Sequence, residues 1–165
     1  LSAIDEAIRA NKLYAQEFRG GDLPAPPALG LAVVTCKDAR LMVEPMLGLK
    51  QGDAHIIRNA GGIVTEDVIR SLVISHYVLS AQEFMIINHT QCGLLTFTDE
   101  ELRTRLEDAT GTASVTPAGF HTFRDLEANV RHQVQKVRSH PWIPGRIPVR
   151  GFIYDIRTGL LSEVS

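Results

Sequence analysis

Leu29-Gly30-Leu31-Ala32-Val33-Val34-Thr35-Cys36-Lys37-Asp38-Ala39-Arg40 is the stretch that sets the architecture. Its first half, Leu29 to Val34, is a short and nearly continuous apolar run, the pattern of a strand covered on both faces. Its second half puts a thiol, a carboxylate and a guanidinium at alternate positions just past that strand. A second run of the same kind, Phe84 to Asn88, leads into His89-Thr90-Gln91-Cys92-Gly93. Both cysteines of the chain therefore fall at strand ends.

The same reading extends outward. Asp53 to Arg58 reads as a second strand, followed by a tight loop, Asn59-Ala60-Gly61-Gly62. Val149 to Tyr154 reads as a fourth strand, and a turn from Asp155 to Gly159 leads to a short last one, Leu160 to Val164. Helical patterns fill the gaps. Arg40 to Leu47 gives a short helix that carries Pro45 and ends at Gly48. Thr65 caps a helix to about Ser80, with Glu66 and Asp67 in the favourable first turn. Thr98 and Glu101 form a capping box, and Leu102 and Leu106 follow. A further helix is expected from about Phe120 to Ser139, with Phe123, Leu126, Val130, Val134 and Val137 on its buried stripe. The alternation predicts an α/β fold. It has a central, mainly parallel four-stranded sheet flanked by helices, with a short extra edge strand.

Upstream, Ser2 with Asp5 starts a helix from residue 2 to 18, with Ile4, Ala7, Ile8, Tyr14 and Phe18 on one face. Gly20-Gly21-Asp22-Leu23-Pro24-Ala25-Pro26-Pro27 follows, a semi-rigid connection with three prolines and two glycines. The expected organisation is one domain over residues 1–165. Residues 1–19 form a protruding N-terminal helical arm, 20–28 a Pro/Gly linker and 29–165 the α/β core. The apolar face of the arm needs a cover, and a partner subunit offers one.

Hydrophobic residues make up 44% and charged residues 22%, an ordinary globular composition. A net charge of −2 recommends neither nucleic acid nor a membrane surface as partner. No apolar run approaches the roughly 18 residues that a bilayer crossing needs. The chain opens without a signal-like hydrophobic region, so a cytoplasmic location is the expectation. Two cysteines are too few for a disulfide scaffold.

In open α/β sheets, ligands bind beyond the carboxyl ends of the strands. If the first and third strands are near neighbours, Cys36, His89 and Cys92 converge there. Two thiolates and an imidazole suit tetrahedral zinc and leave a fourth position open. Asp38, two residues before Arg40, would be held ionised and aimed by that guanidinium. Blander readings stand beside this one. Either cysteine can be a packed core thiol, the two can form a disulfide, and His89 can be a strand-end cap.

Taken together, Cys36-Lys37-Asp38-Ala39-Arg40, Arg58-Asn59-Ala60-Gly61-Gly62 and His89-Thr90-Gln91-Cys92-Gly93 resemble the β-class carbonic anhydrases. The similarity runs from about Leu29 to Leu95 and looks most like the small clade D type, which also includes carbonyl sulfide hydrolases. The resemblance implies one Zn²⁺ per chain, on Cys36, His89 and Cys92. It implies a catalytic dyad of Asp38 and Arg40, in which the carboxylate orients a zinc-bound hydroxide for addition to CO₂. In some members that Asp becomes the fourth ligand and closes the site. His55, Ala60, Gly61 and Gly93 are the residues expected around the substrate, CO₂ or bicarbonate in the first reading and carbonyl sulfide (COS) in the second. His55 stands where plant-type enzymes carry an aromatic. A homodimer or homotetramer is also implied. A non-catalytic zinc-binding oligomerisation module, with Asp38 a permanent ligand, is the alternative from another class.

Overall fold

A computed structural model describes residues 2–165. Its centre is a five-stranded sheet in the order β2-β1-β3-β4-β5. The strands are β1 (Leu31–Cys36), β2 (Ala54–Asn59), β3 (Glu83–His89), β4 (Val149–Tyr154) and β5 (Leu161–Val164). The first four run parallel, and β5 returns antiparallel along β4. This is the expected mainly parallel sheet with an added edge strand.

The strand order positions everything that follows. From β1 the chain moves outward to β2, then crosses back to place β3 on the opposite side of β1. Loops leaving β1 and β3 therefore diverge, and a crevice opens between them at their carboxyl ends. Cys36 is the last residue of β1 and His89 the last of β3. Both strands run one or two residues further than the apolar runs alone indicate. Backbone pairing continues past the hydrophobic residues, with Cys36 opposite Asn59 and His89 opposite Tyr154.

One face of the sheet packs against α3 (Glu66–Tyr77) and α5 (Leu126–Arg138). Ala32, Val34, Phe84 and Ile86 from the strands meet Val68, Leu72, Val130, Val134 and Val137 from these helices. The glycine of β4 allows this approach: a Cβ on Gly151 would lie 2.5 Å from Val130 Cγ1. The other face has a thinner cover, the short α2 (Val43–Leu47). Val33, Val43 and Ile87 are fully buried there, while Ile56, Met85, Phe152 and Leu161 are only partly so.

The helix caps follow the sequence. Ser2 and Asp5 form a full capping box on α1 (Ala3–Glu17), and Thr98 and Glu101 form another on α4 (Asp99–Thr110). Thr65 caps α3, and Gly48 ends α2 in the left-handed conformation. Among the described residues, no side chain of α1 is buried. Ile4, Ile8, Leu13 and Tyr14 stay more than half exposed, so the arm does protrude as expected. No described helix is long and apolar enough to cross a membrane.

Three helix boundaries differ from expectation. The helix expected from Arg40 begins only at Val43, because Leu41 N–H closes a turn onto Asp38 O at 3.1 Å. α3 stops at Tyr77, and Ser80 is left-handed with φ 64°. The helix expected from Phe120 begins at Leu126. Asp99 captures the preceding segment through Phe120 N at 2.7 Å, Thr122 N at 3.1 Å and Thr122 Oγ1 at 2.7 Å. Asp125 then caps the true start through Ala128 N at 2.9 Å.

Candidate metal centre

The β1 and β3 ends bring Cys36, His89 and Cys92 together. Their donor atoms lie within 4.8 Å of one another. All three are buried, with His89 at 0% exposure. Cys92 reaches the group because Gln91 is left-handed (φ 53°), so the chain doubles back directly after His89. A 3-10 turn, Gly93–Leu95, then carries it away. Leu41, Leu94, Leu95, Phe123, Tyr154 and Ile156 pack around the thiols and make a dry wall.

The donor set fits a metal ion. His89 Nδ1 lies 2.8 Å from Thr90 O, an acceptor, so Nδ1 carries the proton and Nε2 the lone pair. Nε2 is buried without a hydrogen-bond partner among the described residues. A buried ring nitrogen left bare is costly unless something electrophilic faces it. The Cys92 thiol, then His89 and the backbone N–H groups of Asp38 and Gly61, hold the Cys36 thiol below its ordinary value against the opposing effect of burial. Sharing that proton with Cys36, together with burial, pushes Cys92 up. Burial opposes protonation of His89, but the contacts with Cys36 and Thr90 and the charges of Cys36 and Asp38 outweigh it and raise its pKa. The cluster thus carries protons that a metal would displace, and its affinity for the metal falls as pH falls.

Asp38 stands beside this group. Its Oδ2 is 3.7 Å from His89 Nε2. Arg40 grips the carboxylate with both prongs, Nε to Oδ1 at 2.9 Å and Nη2 to Oδ2 at 2.7 Å. The Arg40 hydrogen bond is the main reason that Asp38 lies well below the ordinary carboxylate range. Arg40 is held charged in return.

Two further supports were not apparent from the sequence pattern. Arg58 donates from Nε to Cys36 O at 2.9 Å and from Nη2 to Asp38 O at 2.7 Å. It therefore holds the backbone that presents both side chains. The glycine loop after β2 is held by a chain of buried amides. Asn88 donates to Gly61 O at 2.9 Å, Asn129 donates to Asn88 at 2.7 Å, and Gln133 donates to Asn129 at 2.8 Å. Gln133 finally accepts from Val64 N at 2.8 Å. Asn129 and Gln133 are four apart on α5, on the same side as its apolar stripe. A polar pair at that spacing among Val130, Val134 and Val137 was the available signal.

The expected pocket residues divide. Gly61 is at the centre, its N–H 3.3 Å from Cys36 Sγ. Ala60 and Gly93 are exposed on the two loops that flank the cluster. His55 is a correction. It pairs with Ala32 near the start of β2, four residues before Asn59, so about 13 Å of strand separates it from the ligand end. Its ring bonds Ser75 Oγ at 2.9 Å and Ala25 O at 3.3 Å, which ties the linker to α3. Within this chain it does not face the metal centre. A groove of 990 Å³ along α4, lined by Phe97, Thr104 and Arg105, also holds none of the cluster. Donor chemistry, not concavity, locates the site.

Gly62 yields a sharp prediction. Its φ is +62°, and a Cβ there would lie 3.0 Å from Cys36 N and 2.9 Å from Asn88 Nδ2. Gly62→Ala adds left-handed strain to a clash with backbone, an expected loss of about 2–4 kcal/mol. Chemical denaturation of the purified variant measures it; a loss below about 1 kcal/mol would show that the loop relaxes freely.

Comparison with known proteins bears on the same residues. The model of the family described as "Carbonic anhydrase" matches residues 31–161. The chain is 41% identical to β-carbonic anhydrase 1 of Mycobacterium tuberculosis, covering 100% of this chain and 99% of that protein. It is 31% identical to the carbon disulfide hydrolase of Saccharolobus solfataricus, covering 97% of this chain and 88% of that protein. The crystal structure of a carbonic anhydrase from Streptococcus mutans superposes with a TM-score of 0.94 at 43% identity, covering 100% and 99% of the two chains.

Proposed function

The chain belongs to the β-class carbonic anhydrase family, and from that premise we propose that it hydrates CO₂ to bicarbonate with one Zn²⁺ held by Cys36, His89 and Cys92. The observation that carries this reading is the pairing of Asp38 with Arg40 beside the bare His89 Nε2. When bound, zinc lowers the pKa of a coordinated water to roughly 7 in favourable sites and so supplies a nucleophile near neutral pH.

The protein does the rest. Cys36, His89 and Cys92 are the three donors, and the Thr90 carbonyl keeps the His89 tautomer correct. Asp38 stays ionised because Arg40 occupies it, so it can only accept a hydrogen bond. A carboxylate fixed in that state orients the attacking oxygen by taking its proton into a hydrogen bond, which leaves a lone pair toward the carbon. Leu41, Leu94 and Phe123 exclude bulk water from the approach. Ala60, Gly61 and Gly93 line that approach in this reading. The sum is CO₂ + H₂O giving HCO₃⁻ and H⁺, with the proton passed to buffer.

The second reading keeps the site and changes the substrate to COS, giving CO₂ and H₂S. The kinship with a carbon disulfide hydrolase favours keeping it. Steady-state rates of the zinc-loaded protein on CO₂ and on COS separate the two. CO₂ turnover well above sulfide release is expected; negligible CO₂ hydration with rapid sulfide release would reverse the order. A non-catalytic module would bind zinc and turn over neither. The Asp38–Arg40 pairing argues against that module, since it leaves the carboxylate with Arg40 and not as a permanent ligand.

We further propose a homodimer or larger homo-oligomer. The exposed apolar face of α1 and the partly covered Ile56, Met85 and Phe152 are the surfaces it would bury.

A further inference from the structure

We propose that Gln91 and Arg157 are positioning residues for the Asp38–Arg40 pair, a role that rests on the carbonic anhydrase reading above. A bidentate ion pair fixes two side chains relative to each other. It does not fix the pair relative to the metal ligands. Arg40 is half exposed, so something must anchor it. Its Nη2 donates to Gln91 O at 3.0 Å, across 51 residues of sequence. Gln91 sits between His89 and Cys92, so this bond ties the dyad to the ligand loop itself.

The carbonyl is aimed by an unfavourable backbone. Gln91 has φ 53°, a region that residues other than glycine occupy at a cost and that persists only when the surroundings hold it. Arg157 is the hold. The amide orientation of a glutamine is assigned from its network. With the Gln91 oxygen turned toward Arg157, it accepts from Nε at 2.8 Å and from Nη2 at 3.1 Å. Arg157 is itself set by the turn between β4 and β5, where Asp155 Oδ1 accepts its N–H at 2.8 Å. That turn also grips the ligand loop, through Ile156 N to Thr90 Oγ1 at 3.1 Å and Thr90 N to Tyr154 O at 3.0 Å. Gln91 thus lies between two guanidinium groups. Its side chain answers Arg157, and its carbonyl answers Arg40.

The test is a short variant series. It compares Arg157→Ala, Gln91→Gly, both together, and Gln91→Val, each measured for zinc content, kcat and KM and by crystal structure. Arg157→Ala and Gln91→Gly should each lower kcat about threefold with KM and zinc content unchanged. The double variant should lose no more than Gln91→Gly alone, because Arg157 acts only through that side chain. Gln91→Val, whose branched side chain abandons the left-handed region, should lower kcat about tenfold or more and break the Arg40–Gln91 O contact in the structure. Because the same left-handed turn brings Cys92 to the cluster, Gln91→Val is compared per bound zinc. Additive losses, an unchanged kcat per zinc in Gln91→Val, or losses in Arg157→Ala or Gln91→Gly that follow zinc content would each overturn the proposal. If the parent protein turns over neither CO₂ nor COS, the functional reading fails. The structures then still judge the positioning, which is overturned if Gln91 φ and the Arg40 contact survive in both Arg157→Ala and Gln91→Val.

Discussion

Cys92→Ser is expected to empty the metal centre. Serine is close to cysteine in size, but its oxygen does not ionise near neutral pH, so a three-donor set becomes a two-donor set. Loss of a hydrogen bond that merely supports a ligand costs about 10–100-fold in metal affinity, and loss of the ligand itself should exceed that range. Cys92 is 2% exposed, and its neighbours are Cys36 and the apolar wall of Leu94 and Leu95. Cys36, His89 and Cys92 are the group whose donor atoms converge there, and the Asp38 carboxylate beside them is already gripped by Arg40. Zinc analysis of the purified variant should find well under one ion per chain, and turnover should vanish with the metal. Circular dichroism separates this from misfolding. Full zinc occupancy in folded Cys92→Ser would remove Cys92 from the ligand set.

Asp38→Asn is expected to do the reverse: zinc stays and turnover falls. The amide keeps the shape of the carboxylate but loses its charge, and it offers two donors where Arg40 and the nucleophile both need an acceptor. Removing one preorganised electrostatic contact of this kind costs about 10²–10³-fold in kcat. The sign of the pH dependence is fixed by Arg40. Because Asp38 is held below the ordinary carboxylate range, its pairing stabilises the fold above the unfolded value of about 3.9. That contribution is lost only as pH falls through the lower folded value. Asp38 is therefore ionised throughout the neutral range, and the deficit of Asp38→Asn should be the same from about pH 6 to 9. Stopped-flow CO₂ hydration across that range measures it. An undiminished kcat would end the orienting role, and loss of zinc would recast Asp38 as a ligand.

Much of this site was legible in the chain because its signals are local. The apolar runs ending at Cys36 and His89 announce two strand ends, and Cys-x-Asp-x-Arg and His-x-x-Cys each span a single turn. The capping boxes at Ser2 and Thr98 are legible for the same reason, since a cap is closed by a residue three positions away. Periodicity and caps act over four residues or fewer, so one sequence suffices to read them.

What the tertiary structure decided lies at longer range. The order β2-β1-β3 makes β1 and β3 neighbours and so brings thiols 56 residues apart in sequence to one point. The Arg58 grip on Cys36 O and Asp38 O depends on the β1–β2 register, in which Arg58 sits opposite Thr35. The same register carries His55 to the far end of β2, against the expectation that it lines the pocket. The start of α5 at Leu126 was set by Asp99, more than 20 residues upstream, whose carboxylate captured Phe120 and Thr122 before they could join the helix. Gln91 between Arg40 and Arg157 belongs to the same class. Local chemistry in the sequence determined which residues could bind a metal and orient a nucleophile. Only the folding of distant strand ends and turns onto one another determined what holds them in place, because those hydrogen bonds exist only once the sheet has its register.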